Sequence, residues 1–309
     1  RFDIEVVNSH WMVPQGLTAA FSLKSLGIKH ALTIHSAGLF FLRRAPFGKF
    51  FAKRILKNTD ALYIVSQHNQ RMLEDLVKRP VSARILPMGI HTDYYQSERD
   101  PAELRRALNL PESNPLILYV GKLSRIKGVN FLIEAMPQVL QANPNARLVV
   151  VGSGPEENSL KNQTETLGLT EKTIFTGQQG PEGVRNYLPA CDTLVISSIQ
   201  DTNGQVEGFP VVLLEALASG KPVVGTRLGG VPEGIEDSVN GFLVPPEDPK
   251  AIAEALVKIL HQGPETFFDR ARASVERFDW KTVGQDYSKT FEALLNKLGP
   301  KRDSSLRSE

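Results

Sequence analysis

The chain has 309 residues, of which 41% are hydrophobic and 23% are charged, and its formal net charge is +2. This composition is typical of globular proteins, and the length favours two domains of roughly 100–200 residues each. The single cysteine, Cys191, excludes a disulfide framework and a cysteine-based zinc site. No apolar run reaches the roughly 18 residues of a membrane span, and no signal-peptide pattern opens the chain. These features predict a cytoplasmic protein.

Short apolar runs alternate with helical stretches along nearly the whole chain, which predicts an α/β fold with parallel sheets covered on both faces. The predicted strands are residues 2–7, 30–34, 61–65, 83–86, 115–120, 146–151, 172–175, 193–196, 222–225 and 242–244. The predicted helices are residues 16–26, 46–57, 67–78, 128–142, 155–168, 181–189, 210–219 and 248–262. Ligands of such sheets bind beyond the carboxyl ends of the strands. The loops that follow the strands are therefore the candidate sites.

A basic loop follows the strand predicted at 115–120. Lys122, Arg125 and Lys127 lie within six residues of one another, and Gly128 precedes a helix whose amide groups favour an anion. The arrangement suits a phosphate group, although its spacing is not that of a P-loop. A solvated basic turn is the alternative interpretation.

Two further strand ends carry candidate residues. The segment Gly152-Ser153-Gly154-Pro155 would let the backbone approach a ligand closely, and an ordinary tight turn is the alternative. Glu207 lies just before the helix at 210–219, and Glu215 lies among its apolar residues. A carboxylate in an apolar run needs a partner. That partner is either the hydroxyls of a sugar or ribose, or an arginine from elsewhere in the chain.

Several motifs occur together in an order that resembles the retaining glycosyltransferases of family 4, from about residue 2 to residue 298. The motifs are Gly121-Lys122-Leu123 with Lys127-Gly128, Gly152-Ser153-Gly154-Pro155, Glu207 with Glu215, Gly229-Gly230-Val231-Pro232-Glu233, and Asn240-Gly241-Phe242-Leu243-Val244-Pro245-Pro246. The resemblance implies the GT-B fold, an α/β architecture of two Rossmann-like parallel-sheet lobes with a cleft between them.

Proline, glycine and polar residues around 88–114 predict the domain boundary. We expect a first, acceptor-side lobe at 1–105, a donor-binding lobe at 106–279, a helix at 280–298 that packs back on the first lobe, and a disordered tail at 299–309. The sequence starts with Arg1 directly at a strand-like run. We therefore expect the first lobe to be truncated, without the glycine-rich loop that follows the first strand in the family.

The resemblance also implies roles for individual residues. The catalytic residues would be His35, Lys122, Lys127 and Glu207. The donor-binding residues would be Arg125, Gly152, Gln178, Gln179, Gly208, Phe209, Pro210, Val211, Leu214 and Glu215. The lysines would bind the donor diphosphate, with Lys122 where the family most often has arginine and Arg125 as a compensating cation. Glu207 and His35 would face the transferred sugar.

Glu215 would bind the ribose hydroxyls, and Gln178 and Gln179 would lie near the base. Backbone amides at 208–211 would hold sugar and phosphate oxygens.

The implied reaction transfers a sugar with retention from a UDP- or GDP-sugar to a glycan or lipid-linked acceptor. No Asp-x-Asp motif occurs, and we expect no catalytic metal, no cofactor and no nucleic-acid partner. A nucleotide-sugar-binding protein without turnover is the main alternative, because we expect the glycine-rich loop to be missing. A GT-B epimerase or phosphorylase is a further alternative.

The positive charge is concentrated near the start of the chain, where residues 1–100 carry 14 Lys and Arg against 8 Asp and Glu. In residues 38–57, six cations and five phenylalanines are interleaved with no acidic residue. Such a stretch could lie on an anionic membrane surface, which would place the protein on the inner face of the membrane. In the alternative, the phenylalanines belong to the core and the cations form a solvated face.

Overall fold

The computed structural model describes residues 4–96 and 100–296. These residues form two compact units. Unit 1 contains residues 4–88 and 281–296, and unit 2 contains residues 89–96 and 100–280. The predicted disordered tail at 299–309 and the beginning of the first predicted strand lie outside the described residues.

Strands and helices alternate along both units. The strands are β1 (Val6–His10), β2 (Lys29–Ile34), β3 (Ala61–Ile64), β4 (Arg84–Ile85), β5 (Leu116–Val120), β6 (Arg147–Val151), β7 (Thr173–Gly177), β8 (Thr193–Ile196), β9 (Val223–Thr226) and β10 (Gly241–Val244). The α-helices are α1 (Leu17–Ser22), α2 (Ser36–Arg44), α3 (Gly48–Lys57), α4 (Gln67–Val77), α5 (Thr92–Gln96), α6 (Pro101–Ala107), α7 (Val129–Ala142), α8 (Glu157–Thr166), α9 (Pro181–Ala190), α10 (Val211–Ala218), α11 (Pro249–Gln262), α12 (Phe268–Val275) and α13 (Trp280–Asn296).

Unit 1 contains a parallel sheet in the order β1-β2-β3-β4. The apolar run at 2–7 predicted the first strand too early, since β1 begins at Val6 and continues through polar residues to His10. The reason is the partner strand: β2 begins at Lys29, and the register pairs Val6 with Lys29 and His10 with Thr33.

Helix α13 packs within unit 1. The ring of Tyr287 lies 4.5 Å from that of Tyr63 on β3, and Asp286 accepts a 2.6 Å hydrogen bond from Arg84 on β4. Helix α13 therefore packs against the sheet of unit 1 and forms part of its core and surface.

Unit 2 contains a six-stranded parallel sheet in the order β10-β9-β8-β5-β6-β7. Both of its faces are covered. Ile117 and Tyr119 belong to the core on one face, and Leu116 and Leu118 belong to the core on the other, as expected for alternate residues of a buried parallel strand. The strand order reverses between β5 and β8, and such a switch point is where ligands of doubly wound sheets bind.

The boundary between the units falls after residue 88, whereas the sequence predicted it after residue 105. The predicted position passes through α6, whose Arg105 is buried within unit 2. Its guanidinium donates to Asp192 at 3.1 Å and to the carbonyl oxygen of Asn114 at 2.7 Å. Because these contacts satisfy a buried cation, α6 belongs to unit 2.

Candidate functional site

A pocket of about 400 Å³ lies at the carboxyl ends of β5, β6 and β7 in unit 2. Four of the predicted site residues line it together: Lys122 follows β5, Gly152 follows β6, and Gln178 and Gln179 follow β7. Three loops that are distant in sequence thus converge here, because the strands are parallel and end at the same edge. Lys122 is exposed and gives the pocket a positive charge.

Gly152 shapes the floor of this pocket. Its φ is +144°, and a Cβ atom built there would lie 1.9 Å from the carbonyl oxygen of Gly121. No side chain fits between these backbones, so the position requires glycine. The hydroxyl of Ser153, which also lines the pocket, donates to Oε1 of Gln178 at 3.3 Å, which orients one of the predicted base-contacting side chains.

Lys127 and Glu207 form an ion pair at the switch point. Lys127 comes from the loop after β5, and Glu207 comes from the loop after β8. The two side chains are 26% and 15% exposed, so the pair is partly shielded from water. The hydroxyl of Ser198 lies 3.5 Å from the same carboxylate. The structure therefore brings together one predicted diphosphate ligand and one predicted sugar ligand.

Close backbone packing holds these two loops in place. The hydroxyl of Ser197 donates to the carbonyl oxygen of Lys127 at 2.9 Å. Gly128 has a φ of +59°, and a Cβ atom there would lie 2.1 Å from the carbonyl oxygen of Ser197. Any other residue at Gly128 would push the loops apart and separate Lys127 from Glu207.

Glu215 has a partner that the sequence did not reveal. The hydroxyl of Tyr95, on the short helix α5, donates to Oε1 of Glu215 at 2.7 Å. Burial raises the pKa of Glu215, and the hydrogen bond from Tyr95 opposes that rise. Burial, followed by the hydrogen bond to the carboxylate, raises the pKa of Tyr95. The partner is thus a tyrosine, where the sequence suggested an arginine or a ligand diol.

The remaining predicted donor residues of unit 2 have different surroundings. Gly208 and Phe209 lie in the loop before α10, and Val211 begins that helix with 37% of its surface exposed. Pro210 is buried at the helix start. Leu214 is fully buried in the apolar core, so its side chain is not available to a ligand, contrary to the expectation for a donor-binding residue.

Arg125 does not line the pocket that contains Lys122. It lines a second cavity of about 520 Å³ together with Glu156, Asp201 and Glu247. Three carboxylates around this cavity make it unsuitable for a diphosphate. Arg125 therefore does not stand beside Lys122 as the compensating cation that the sequence suggested.

With this geometry established, comparison with known proteins identifies the family. The family described as Glycosyl transferases group 1 matches residues 100–274. The chain belongs to this family. The matched range contains the switch-point loops and the pocket of unit 2.

Individual relatives match more of the chain than the family does. An uncharacterized glycosyltransferase of Methanocaldococcus jannaschii is 30% identical over 210 residues, which are 67% of this chain and 52% of that protein. The chain thus spans about half the length of that relative. TuaC of Bacillus subtilis, which is named for teichuronic acid biosynthesis, is 32% identical over 280 residues, 89% of this chain and 67% of that protein.

Among solved structures, the chain resembles HepE of Anabaena in complex with UDP, with a TM-score of 0.79 and 22% identity over 94% of this chain and 79% of that one. HepE has also been solved with UDP-glucose. At this identity the likeness concerns the fold. It confirms the predicted α/β architecture of two Rossmann-like parallel-sheet lobes, the GT-B fold.

Unit 1 places the predicted His35 next to a second histidine. His35 follows β2 and His10 ends β1, so the adjacent strand ends bring the two rings together. Nδ1 of His10 lies 2.9 Å from Nε2 of His35, and the ring of Trp11 lies 5.3 Å from that of His35. Burial, followed by the charge of His10, lowers the pKa of His35 to about 4. His35 is therefore neutral at pH 7.

The basic segment 38–57 divides its phenylalanines between core and surface. Phe40 is buried, whereas Phe41, Phe47 and Phe50 are 61%, 79% and 63% exposed. The cations beside them on α2 and α3 are exposed as well. The alternative in which the phenylalanines belong to the core is therefore wrong for these three residues.

Within residues 4–96 and 100–296, no helix is long and apolar enough to cross a membrane. No three His, Cys, Asp or Glu side chains there are grouped so that they could hold a metal ion.

Proposed function

We propose that the chain is a retaining, metal-independent glycosyltransferase of family 4 that transfers a sugar from UDP- or GDP-sugar to a glycan or lipid-linked acceptor. The observation that carries the proposal is the convergence of Lys122, Gly152, Gln178 and Gln179 on one pocket beside the switch point. Membership of the group 1 family and the fold shared with HepE, which binds UDP-glucose, support it. TuaC, by its name, supports a role in polysaccharide assembly.

The charges of unit 2 suit a departing nucleoside diphosphate. In our proposal Lys122 and Lys127 bind the diphosphate and stabilise the charge that develops on it, which is the type of stabilisation that contributes most in many enzymes. The start of α10 adds amide donors from residues 208–211. Glu215, held by Tyr95, accepts hydrogen bonds from the ribose hydroxyls.

Glu207 and Lys127 work as a pair in this proposal. In the structure the ammonium contacts the carboxylate, and a bound diphosphate would compete for the ammonium. Glu207 would then accept hydrogen bonds from hydroxyls of the transferred sugar. Retention follows if the acceptor attacks on the face that the diphosphate leaves, so that a phosphate oxygen takes the proton of the acceptor hydroxyl.

Calorimetry with UDP, UDP-sugars and GDP-sugars tests the donor part of the proposal. We expect micromolar to millimolar binding of one class and release of nucleoside diphosphate with an acceptor present. Lys122→Ala should weaken binding at least about ten-fold, because it removes a charge-assisted contact. Lys250→Ala is the matched control, since Lys250 is exposed on α11 and pairs with Glu254 of the same helix.

The same experiment separates catalysis from binding. Binding that is sensitive to Lys122→Ala together with nucleoside diphosphate release supports a transferase. Tight binding without release, for every donor and acceptor tried, supports the alternative of a nucleotide-sugar-binding protein. Absence of binding to either donor class contradicts both.

We also propose that segment 38–57 binds an anionic membrane surface, with the protein on the cytoplasmic face. Exposed Phe47 and Phe50 next to Lys49 and Lys53 support this, because apolar side chains and cations together bind anionic interfaces. Vesicles with 30% anionic lipid should sediment the protein at low salt, and Phe47→Ser with Phe50→Ser should weaken sedimentation. Failure to bind at any salt concentration contradicts the proposal.

A further inference from the structure

A chain of hydrogen bonds runs through unit 1 to His35. The hydroxyl of Tyr287 lies 3.1 Å from that of Thr33. Thr33 donates to Oδ1 of Asn8 at 3.3 Å, Nδ2 of Asn8 lies 3.4 Å from Nε2 of His10, and Nδ1 of His10 lies 2.9 Å from Nε2 of His35. We call Tyr287, Thr33, Asn8, His10 and His35 the histidine relay.

With Oδ1 of Asn8 facing Thr33 and Nδ2 facing His10, as in the structure, the chemistry of the groups sets the direction of each hydrogen bond in the relay. A carbonyl oxygen only accepts, so the single hydroxyl proton of Thr33 goes to Oδ1 of Asn8. Thr33 must then accept from Tyr287. The same contact turns the amide nitrogen of Asn8 towards His10, and an amide nitrogen only donates.

The same donor-to-acceptor direction continues through the two imidazole rings. Since Nε2 of His10 accepts from Asn8, neutral His10 carries its proton on Nδ1 and donates it to Nε2 of His35. Nε2 of His35 is then an acceptor, and neutral His35 carries its proton on Nδ1. Burial lowers the pKa of His10 and contributes most to the lowered pKa of His35, which keeps both rings neutral at pH 7.

We infer that Asn8 and His10 are positioning residues that fix His35 in the Nδ1–H tautomer, so that it offers a hydrogen-bond donor to an oxygen of the bound sugar. Nδ1 of His35 has no hydrogen-bond partner within residues 4–96 and 100–296. With Nε2 engaged by His10, His35 is a donor and not a general base. The role towards a sugar rests on the proposed function, whereas the tautomer does not.

Nitrogen NMR of the protein labelled with ¹⁵N-histidine measures the tautomers directly. His35→Gln and His10→Gln assign the two rings among the six histidines of the chain. We expect both rings to show a protonated Nδ1 and an unprotonated Nε2. A protonated Nε2 on neutral His35 overturns the inference.

Asn8→Asp tests the cause of the tautomer. A carboxylate keeps the acceptor for Thr33 but only accepts from His10, so His10 must place a proton on Nε2. The spectrum is recorded at a pH where one proton remains on each ring, and both tautomers should then be reversed. Retention of the Nδ1–H form of His35 under that condition overturns the inference.

Thr33→Val and Thr33→Ser form a matched pair for the far end of the relay. Valine removes the hydroxyl that orients the Asn8 amide, and we expect mixed tautomers. Serine keeps the hydroxyl and should keep the Nδ1–H form. Equal spectra for the two variants contradict the relay, and circular dichroism of both confirms that they fold.

Activity connects the relay to transfer. If the wild-type protein turns over a nucleotide sugar, Asn8→Asp should lower kcat about five-fold, the effect of losing one neutral hydrogen bond, while the Kd for the nucleoside diphosphate stays unchanged. Reversed tautomers with unchanged kcat refute the role of His35 as a donor. A wild-type protein without turnover refutes the proposed function, whereas the NMR spectra still test the tautomer of His35.

Discussion

The pairing of Lys127 with Glu207 leads to a prediction opposite to the usual result of mutating a site residue. Glu207→Gln should tighten the binding of UDP or GDP, whichever the chain binds. The ammonium of Lys127 is held by the carboxylate in the structure, and a diphosphate must replace that carboxylate. Glutamine keeps the size of the side chain but releases the cation.

The size of the effect follows from the exposure of the pair. The side chains of Lys127 and Glu207 are 26% and 15% exposed. The interaction energy of the pair should therefore fall between that of an exposed ion pair, up to about 1 kcal/mol, and that of a charged hydrogen bond, about 1.5–3 kcal/mol. A value of about 1 kcal/mol, lost from the state without nucleotide, tightens Kd about five-fold. Turnover should fall in the same variant, because in the proposed function the Glu207 carboxylate orients the sugar.

Calorimetry of nucleoside diphosphate binding at fixed salt checks this prediction. The control is the same substitution in a protein that already carries Lys127→Met. There, Glu207→Gln should change Kd by much less, since no ammonium remains to be released. An unchanged or weaker Kd for Glu207→Gln in the wild-type background would refute the competition between carboxylate and diphosphate. Equal tightening in both backgrounds would show general charge repulsion instead.

Three further predictions concern unit 2. Tyr95→Phe removes the hydrogen bond that lowers the pKa of Glu215, so nucleotide affinity measured by calorimetry should fall about five-fold. Because the pKa of Glu215 is then higher, acidification should weaken nucleotide binding at a higher pH in the variant than in the wild type. Gly152→Ala should lower Tm by several degrees and abolish nucleotide binding, because its Cβ meets a backbone carbonyl at 1.9 Å. Gly180→Ala, with no atom within 4 Å of its Cβ, should leave Tm and binding near those of the wild type. Burial raises the pKa of Cys191 to about 12. Iodoacetamide at pH 8 should therefore label Cys191 only after the protein is denatured, and mass spectrometry measures the labelling.

The sequence predicted the sheet of unit 2 well because its strands are buried on both faces and appear as continuous apolar runs. The first strand shows the limit of that signal. Its outer half is polar, and only the pairing of Val6 with Lys29 sets where it begins. Helix α2 was missed because it starts after His35 without a side-chain cap and has Gly38 in its first turn.

Helix α6 was missed although its start carries a recognisable signal. Asp100 accepts a hydrogen bond from the backbone N–H of Ala102, and Pro101 occupies the first turn, a combination typical of helix starts. Prolines in this region were interpreted as a domain boundary. The burial of Arg105 against Asp192, which assigns the helix to unit 2, depends on residues far apart in sequence and has no local pattern.

Within the candidate site, the sequence identified residues but not their partners. The strand-end rule brings Lys122, Gly152 and the two glutamines to one edge. By contrast, Tyr95 and Glu215 are 120 residues apart, and Lys127 and Glu207 are 80 residues apart. Their contacts depend on how loops from different strands pack, which strand and helix periodicity does not encode.

These partners alter what the acidic residues of the site can do. A carboxylate that stands alone in a binding site repels a diphosphate, whereas Glu207 is neutralised by Lys127 and Glu215 is held by a tyrosine hydroxyl. In the proposed function, the first carboxylate is freed only when a diphosphate takes its cation, and it then becomes available to sugar hydroxyls. The proposal therefore couples binding of the diphosphate to recognition of the sugar through one ammonium group. A sugar without a diphosphate gains no such partner, so free sugar should bind far more weakly than the nucleotide sugar.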